Sequence, residues 1–119
     1  MPVSILLVDD DDGFRAALAD TLRAAGHERV YEARTVAGAL SAAAELRPDV
    51  ALVDIGLPDG DGFQLACELG QLTDVPRVVL ISTDADAADN AAAQRVGAER
   101  FLAKEDLGDA RLRMLLSGP

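Results

Sequence analysis

The chain of 119 residues has no tryptophan, one tyrosine and three phenylalanines. So few aromatic faces leave little for nucleobases to stack on. Basic residues are scarce as well: eleven lysines and arginines face twenty-one aspartates and glutamates, a formal net charge of -10. That balance argues against direct binding of nucleic acid or of an anionic membrane by this chain alone. The lone cysteine, Cys67, has no partner for an internal disulfide, which suits a reducing cytoplasm. No apolar run approaches the ~20 residues of a membrane-spanning helix, and Met1-Pro2-Val3-Ser4 lacks the basic start of a secretory leader. No Gly-rich loop follows the first apolar run, so nucleotide binding ranks low. Linkers, repeats and low-complexity segments are also missing.

What is present is aliphatic. Half of the residues are apolar, and the length suits one domain with a real core, taken as residues 1–119. Five short apolar runs predict strands: Val3–Val8, Val30–Ala33, Val50–Val53, Arg77–Ile81 and Arg100–Ala103. Continuous rather than alternating apolar runs indicate strands covered on both faces. Helical periodicity falls between them. Phe14, Ala17, Leu18, Leu22 and Ala25 form one stripe, with Gly26 placed to end that helix. Thr35 is placed to cap a second helix carrying Val36, Leu40 and Ala43, with Pro48 beyond its end. Phe63, Ala66, Cys67 and Gly70 line a third, in which Cys67 reads as a packing residue. Asp86–Val96 reads as a fourth, alanine-rich helix closed by Gly97, and Asp106 as the cap of a fifth with Leu107, Ala110 and Met114 on one face. Strict alternation of strand and helix predicts an α/β fold, a three-layer doubly wound (βα)5 sandwich around a parallel sheet with right-handed crossovers.

In such a sheet, ligands bind outside the carboxyl ends of the strands. The residues just past the first, third, fourth and fifth runs are Asp9 and Asp10, Asp54, Ser82 and Thr83, and Lys104. Acids converging from distant parts of the chain repel one another, and a site that keeps them ionised calls for a cation. Mg²⁺, with Mn²⁺ as an alternative, suits this donor set: Asp10 and Asp54 as carboxylate ligands, Asp9 through water, and the Gly56 backbone carbonyl as a third protein oxygen. With its charge offset, Asp54 becomes an aspartyl nucleophile able to form an acyl phosphate. Lys104 and the Ser82 hydroxyl then bind the transferring oxygens.

Four segments carry a resemblance that runs nearly end to end. They are Ile5-Leu6-Leu7-Val8-Asp9-Asp10, the stretch from Pro48 through Asp54-Ile55-Gly56-Leu57-Pro58-Asp59-Gly60-Asp61-Gly62, and Val78-Val79-Leu80-Ile81-Ser82 followed by Gly97 to Lys104. In these the chain resembles the receiver domain of bacterial two-component response regulators, of the chemotaxis-regulator type. The resemblance implies a five-stranded parallel sheet in the flavodoxin-like order 2-1-3-4-5. It implies Asp54 as phosphoacceptor, Asp9 and Asp10 as the acid pair, Ser82 as switch hydroxyl, Lys104 as phosphate-binding lysine and Phe101 as the aromatic that reorients on activation. The implied donor is a phosphohistidine on a sensor histidine kinase or phosphotransfer protein, with small acyl phosphates substituting. The implied readout is the surface of the fourth helix, fifth strand and fifth helix, where an output domain, an effector or a second copy docks. A phosphoacceptor of this kind is not a turnover enzyme on an external substrate, and no output domain is expected within these residues.

Thr83 stands where many members of that family have alanine, so both Ser82 and Thr83 are candidates, with Ser82 favoured by its spacing to Lys104. Asp11 and Asp12 read as helix-start acids; Asp59 and Asp61 read as turn-formers tolerant of left-handed backbone. His27 reads as a surface residue. Two other functions compete: a receiver-like interaction module that takes no phosphate, and a small Mg²⁺-dependent phosphatase using Asp9 and Asp11, or Asp10 and Asp12, as an Asp-x-Asp pair.

Overall fold

The computed structural model describes residues 3–84 and 89–117. Five parallel strands, β1 (Ile5–Val8), β2 (Val30–Ala33), β3 (Val50–Asp54), β4 (Arg77–Ser82) and β5 (Arg100–Ala103), form one sheet in the order β2-β1-β3-β4-β5. The helices are α1 (Asp12–Ala24), α2 (Val36–Leu46), α3 (Gly62–Leu69), α4 (Asn90–Arg95) and α5 (Asp109–Ser117). The fold is the (βα)5 sandwich expected from the strand-helix alternation, in the flavodoxin-like strand order that the family resemblance implied. A two-residue ribbon, Gly56–Leu57 against Gly60–Asp61, is added between β3 and α3.

The side-chain period of two divides each strand between two cores. Leu6, Val8, Ala51, Val53, Val78, Leu80 and Phe101 face α2, α3 and α4, where they meet Val36, Ala39, Ala43, Leu65, Ala66, Leu69 and Ala93. Ile5, Leu7, Val50, Leu52, Val79, Ile81 and Leu102 face α1 and α5, meeting Leu18, Ala19, Leu22, Leu112, Leu115 and Leu116. Each fully buried aliphatic side chain contributes about 1.5–3 kcal/mol of transfer free energy. Two dry faces therefore explain why the strand sequences are continuous rather than alternating. The central strand β3 pairs with β1 from Ile5 opposite Val50, and with β4 as far as Asp54 opposite Ile81.

Helix faces depart from the expected stripes. In α1, Ala17 and Ala25 are exposed and Ala19 is buried instead. The half-buried Arg15 shares the inward side, which turns the stripe. In α3 the buried residues are Gly62, Leu65, Ala66 and Leu69, while Gly70 and Cys67 are exposed; Cys67 is not a packing residue. The fourth helix begins at Asn90 with Asp89 as its cap; residues 86–88 of the expected helix lie outside the described residues. Asp106 does not cap α5. It ends a single 3-10 turn from Lys104, and α5 starts at Asp109 with Leu112, Leu115 and Leu116 inward. Met114, expected inside, is 68% exposed. Thr35 caps α2 as expected, and Gly26 and Gly97 close α1 and α4 with positive φ.

Asp59 and Asp61 do not adopt left-handed backbone, since the only non-glycine residue with positive φ among the described residues is Arg47. They are caps. Asp61 accepts from the Gln64 N–H at 2.7 Å, starting α3. Asp59 reaches across to α2 and accepts from the Val36 and Ala37 N–H groups at 2.7 and 3.1 Å.

Gly62 fastens α3 to the end of β3. A Cβ at this position would lie 2.7 Å from the Asp54 carbonyl oxygen and 2.8 Å from the Ile55 Cα, both backbone atoms that cannot rotate away. Its N–H donates to the Ile55 carbonyl at 2.9 Å. Gly62→Ala is therefore expected to lower the unfolding free energy by about 1–3 kcal/mol in urea titration, and to displace the Asp54 and Ile55 amide resonances more than those of α5.

Candidate functional site

Asp9 follows β1 directly, and its N–H donates to the Ala33 carbonyl at 3.0 Å, keeping it on the path of the sheet. Its side chain is buried, with Oδ1 accepting from the Asp11 N–H at 2.9 Å. Asp11 caps α1 by accepting from the Phe14 N–H at 3.1 Å. Arg15, in the first turn of α1, donates to the Asp9 carbonyl oxygen at 2.6 Å and pairs with Asp12 at 2.9 Å and Glu32 at 3.0 Å. A cation in the first turn opposes the helix dipole. Its place there is explained by these three contacts, which hold the acidic turn in shape.

Asp54 is the last residue of β3, and the chain bends immediately after it. Its Oδ1 accepts from the Gly56 N–H at 3.3 Å. One carboxylate oxygen from each of Asp9, Asp10 and Asp54 lies within 4.8 Å of the others. Asp9 and Asp54 are buried and Asp10 is exposed. Lys104 follows β5 with a side chain only 8% exposed. Its Nζ lies 2.7 Å from Asp9 Oδ2 and 3.5 Å from Asp54 Oδ2. On a third side it sits 4.5 Å from the centroid of the Phe14 ring. Residues from the ends of three strands thus meet, as the topology of the sheet requires.

Burial, and then the charge of Asp9, push the Asp54 carboxyl above its ordinary range; Lys104 and the Gly56 N–H pull the other way without prevailing. Burial alone would weaken the Lys104 ammonium, but its contact with Asp9 and the charges of Asp9 and Asp54 raise it above its ordinary value. Asp9 Oδ2, although ion-paired, has no aligned hydrogen-bond donor. A buried carboxylate oxygen with spare acceptor capacity, beside two more carboxylates, fits a hard divalent cation such as Mg²⁺.

Ser82 ends β4 one residue past Ile81, the partner of Asp54. It is buried, and its Oγ accepts from the Asp84 N–H at 3.1 Å. Thr83 is exposed. Phe101 is buried against Phe63, ring centroids 6.0 Å apart, and its N–H donates to Asn90 Oδ1 at 2.8 Å, which ties α4 to β5. Asp11 and Asp12 are committed elsewhere, Asp11 to the cap and Asp12 to Arg15 and Arg34 at 2.9 Å each. An Asp-x-Asp nucleophile pair gains no support from this arrangement. Three residues at the site had no assigned role in the sequence reading. Arg15 had the signal of a cation in a first helical turn, and Gly62 that of closing the Asp-Gly-Asp-Gly stretch. Phe14 looked like any core aromatic.

Because Asp54 is held above its unfolded pKa, the folded state binds more protons than the unfolded state between the two values. Its contribution to stability is then present below the unfolded value of ~3.9 and lost as pH rises through the folded value. Asp54→Asn is expected to be more stable than the parent at pH 7 with a metal chelator present. The difference should shrink as pH falls toward 4, as read by urea unfolding at both pH values.

The family model for the response regulator receiver domain matches residues 5–115. The chain is 38% identical over 116 residues to the KDP operon transcriptional regulatory protein KdpE of Escherichia coli, covering 95% of this chain and 51% of that protein. It is 35% identical over 116 residues to the transcriptional regulatory protein AfsQ1 of Streptomyces coelicolor, with the same coverage of 95% and 51%. The chain therefore spans about half the length of these curated relatives. Among solved structures, it superposes on the signal receiver domain of the response regulator NarL from Mycobacterium tuberculosis with a TM-score of 0.85 and 31% identity, over 98% of this chain and 94% of that one. A response regulator from Burkholderia pseudomallei, solved with a phosphorylated aspartic acid, a calcium ion and citrate, matches with a TM-score of 0.82 and 27% identity, over 93% of this chain and 65% of that one. The chain belongs to the response regulator receiver domain family.

Proposed function

We propose that Asp54 is the phosphoacceptor of this receiver domain, taking a phosphoryl group from a phosphohistidine of a sensor histidine kinase or phosphotransfer protein, or from a small acyl phosphate. The observation that carries this reading is the meeting of the Asp9, Asp10 and Asp54 carboxylates within 4.8 Å around the buried Lys104 ammonium. An Asp54 oxygen attacks phosphorus, the P–N bond to the donor imidazole breaks, and its electron pair stays on the ring nitrogen, which takes up a proton. Lys104, 3.5 Å from Asp54 Oδ2, is in place to draw charge from the incoming oxygens. A magnesium ion held by Asp9, Asp10, Asp54 and the Gly56 carbonyl would offset the mutual repulsion of the carboxylates and the charge of the phosphoryl oxygens. The phosphorylated aspartate and calcium ion of the Burkholderia pseudomallei relative support both roles.

Phosphorylation adds charge and acceptor oxygens at the rim of the sheet. Ser82, buried at the end of β4, is the hydroxyl that moves to meet them; the exposed Thr83 is the weaker candidate. Phe101 repacks behind it and alters the surface of α4, β5 and α5, the face offered to an output domain, an effector or a second copy. On this reading residues 1–119 form one receiver unit that does not turn over an external substrate. A cytoplasmic setting accords with the exposed, unpaired Cys67. Among the described residues no helix is long and apolar enough to cross a membrane.

Incubation with a small acyl phosphate should label Asp54, mapped by mass spectrometry as an acid-stable, base-labile phosphate. Labelling should require Mg²⁺, vanish in Asp54→Asn and slow by at least about tenfold in Lys104→Ala. Absence of label from every donor, a kinase phosphohistidine included, would instead favour an interaction module that takes no phosphate.

A further inference from the structure

The ammonium of Lys104 has three close neighbours, and only two of them are acids. The third is the face of the Phe14 ring, 4.5 Å from Nζ. We propose that Phe14 is a positioning residue for phosphoryl transfer, its ring holding the Lys104 ammonium at the mouth of the Asp9–Asp54 pair. This deepens the reading of Asp54 as phosphoacceptor and rests on it.

A cation over an aromatic face is drawn by the ring quadrupole, and the attraction grows as water is excluded. Water is largely excluded here, because the Lys104 side chain is 8% exposed. The ring is itself held in place. It packs against the core shared by α1, α5 and the sheet, and its backbone N–H donates to the capping Asp11 carboxylate at 3.1 Å. Its neighbour Arg15 ties the same helical turn to the Asp9 carbonyl at 2.6 Å. One turn of α1 therefore fixes the acidic loop through Arg15 and the lysine through Phe14.

The choice of an aromatic side chain has a chemical reason. An acid at this position would attract the ammonium more strongly, but it would also compete with phosphoryl oxygens for the lysine and add to the crowding of carboxylates. An aliphatic side chain would fill the space and exert no pull. The ring attracts a cation without neutralising it, and its pull is the same whether Asp54 is free or phosphorylated. The acid contacts are not constant in this way, since one of them belongs to the reacting group. A ring face also leaves the N–H directions toward Asp9 and Asp54 unoccupied, so the lysine stays aimed at the reacting oxygens.

The test is a double-mutant cycle on Asp54 labelling by a small acyl phosphate at saturating Mg²⁺. Phe14→Leu keeps an apolar side chain of similar size and should lower the second-order labelling rate by about fivefold or more. Phe14→Tyr, which keeps the ring face, should stay within about twofold of the parent. In a Lys104→Ala background, Phe14→Leu should have no further effect. A second readout is independent of the chemistry: the Lys104 ε-methylene protons should show an upfield ring-current shift that is lost in Phe14→Leu, with the thermal midpoint of that variant confirming the fold. Phe14→Leu labelling as fast as the parent, or slowing equally without Lys104, would overturn the proposal. A parent chain that takes no label would overturn the phosphoacceptor reading instead, while the ring-current shift would still decide where the lysine is held.

Discussion

Asp9 and Asp54 are brought together from positions 45 residues apart in the chain, and burial together with the charge of Asp9 makes Asp54 harder to ionise. At this distance from bulk water their repulsion is not screened away. One ammonium, Lys104, lies 2.7 Å from the first and 3.5 Å from the second. Much of the architecture around the carboxyl end of the sheet serves to hold this unfavourable pair in place. β1 and β3 are adjacent and parallel, so their ends cannot drift apart without breaking the register from Ile5 opposite Val50 to Val8 opposite Val53. Gly62 lets α3 press directly on the backbone that follows Asp54, and Arg15 grips the backbone of Asp9.

That arrangement leaves the site charged and ready for change. Three carboxylates and a single nearby ammonium carry excess negative charge, which a hard divalent cation is suited to balance. The raised affinity of Asp54 for a proton has the same origin as its expected affinity for metal, since both relieve burial and the field of Asp9. In the proposed role of Asp54, stability and function pull against each other: the carboxylate that phosphoryl transfer would need is one the folded chain would hold more easily if it were neutral.

In the proposed switch, the path outward from the site runs through β4 and β5. Ser82 lies buried where β4 ends. Phe101, opposite Leu80, lies on the far side of the sheet from α1, against Phe63, and its N–H is held by Asn90 at the start of α4. α4 is only six residues long in the described chain, with Ala93 as its one buried residue. Few buried anchors make an element cheap to displace. α5 is fastened differently: Arg77 donates to the Leu115 carbonyl at 2.8 Å while forming a fork with both oxygens of Glu99 at 2.9 Å. The face expected to carry the signal therefore combines a lightly held helix with a clamped one.

The sequence by itself determined the strands, their two-sided burial and the residues at their carboxyl ends, because continuous aliphatic runs ending in acids, a hydroxyl and a lysine allow few other arrangements. Thr35, Gly26 and Gly97 marked helix ends through local backbone chemistry alone. Helix faces were decided only in three dimensions. α5 starts at Asp109 rather than near Asp106, and Met114 points outward, because the 3-10 turn after Lys104 resets the phase of the helix. The exposure of Cys67 follows from the close seating of Gly62, which sets how α3 meets the sheet. The capping of α2 by Asp59, the grip of Arg15 on Asp9 and the place of the Phe14 ring beneath Lys104 likewise belong to tertiary structure. Each joins residues whose pairing no local pattern encodes, since a hydrogen bond or ring contact between separate elements depends on where packing puts them.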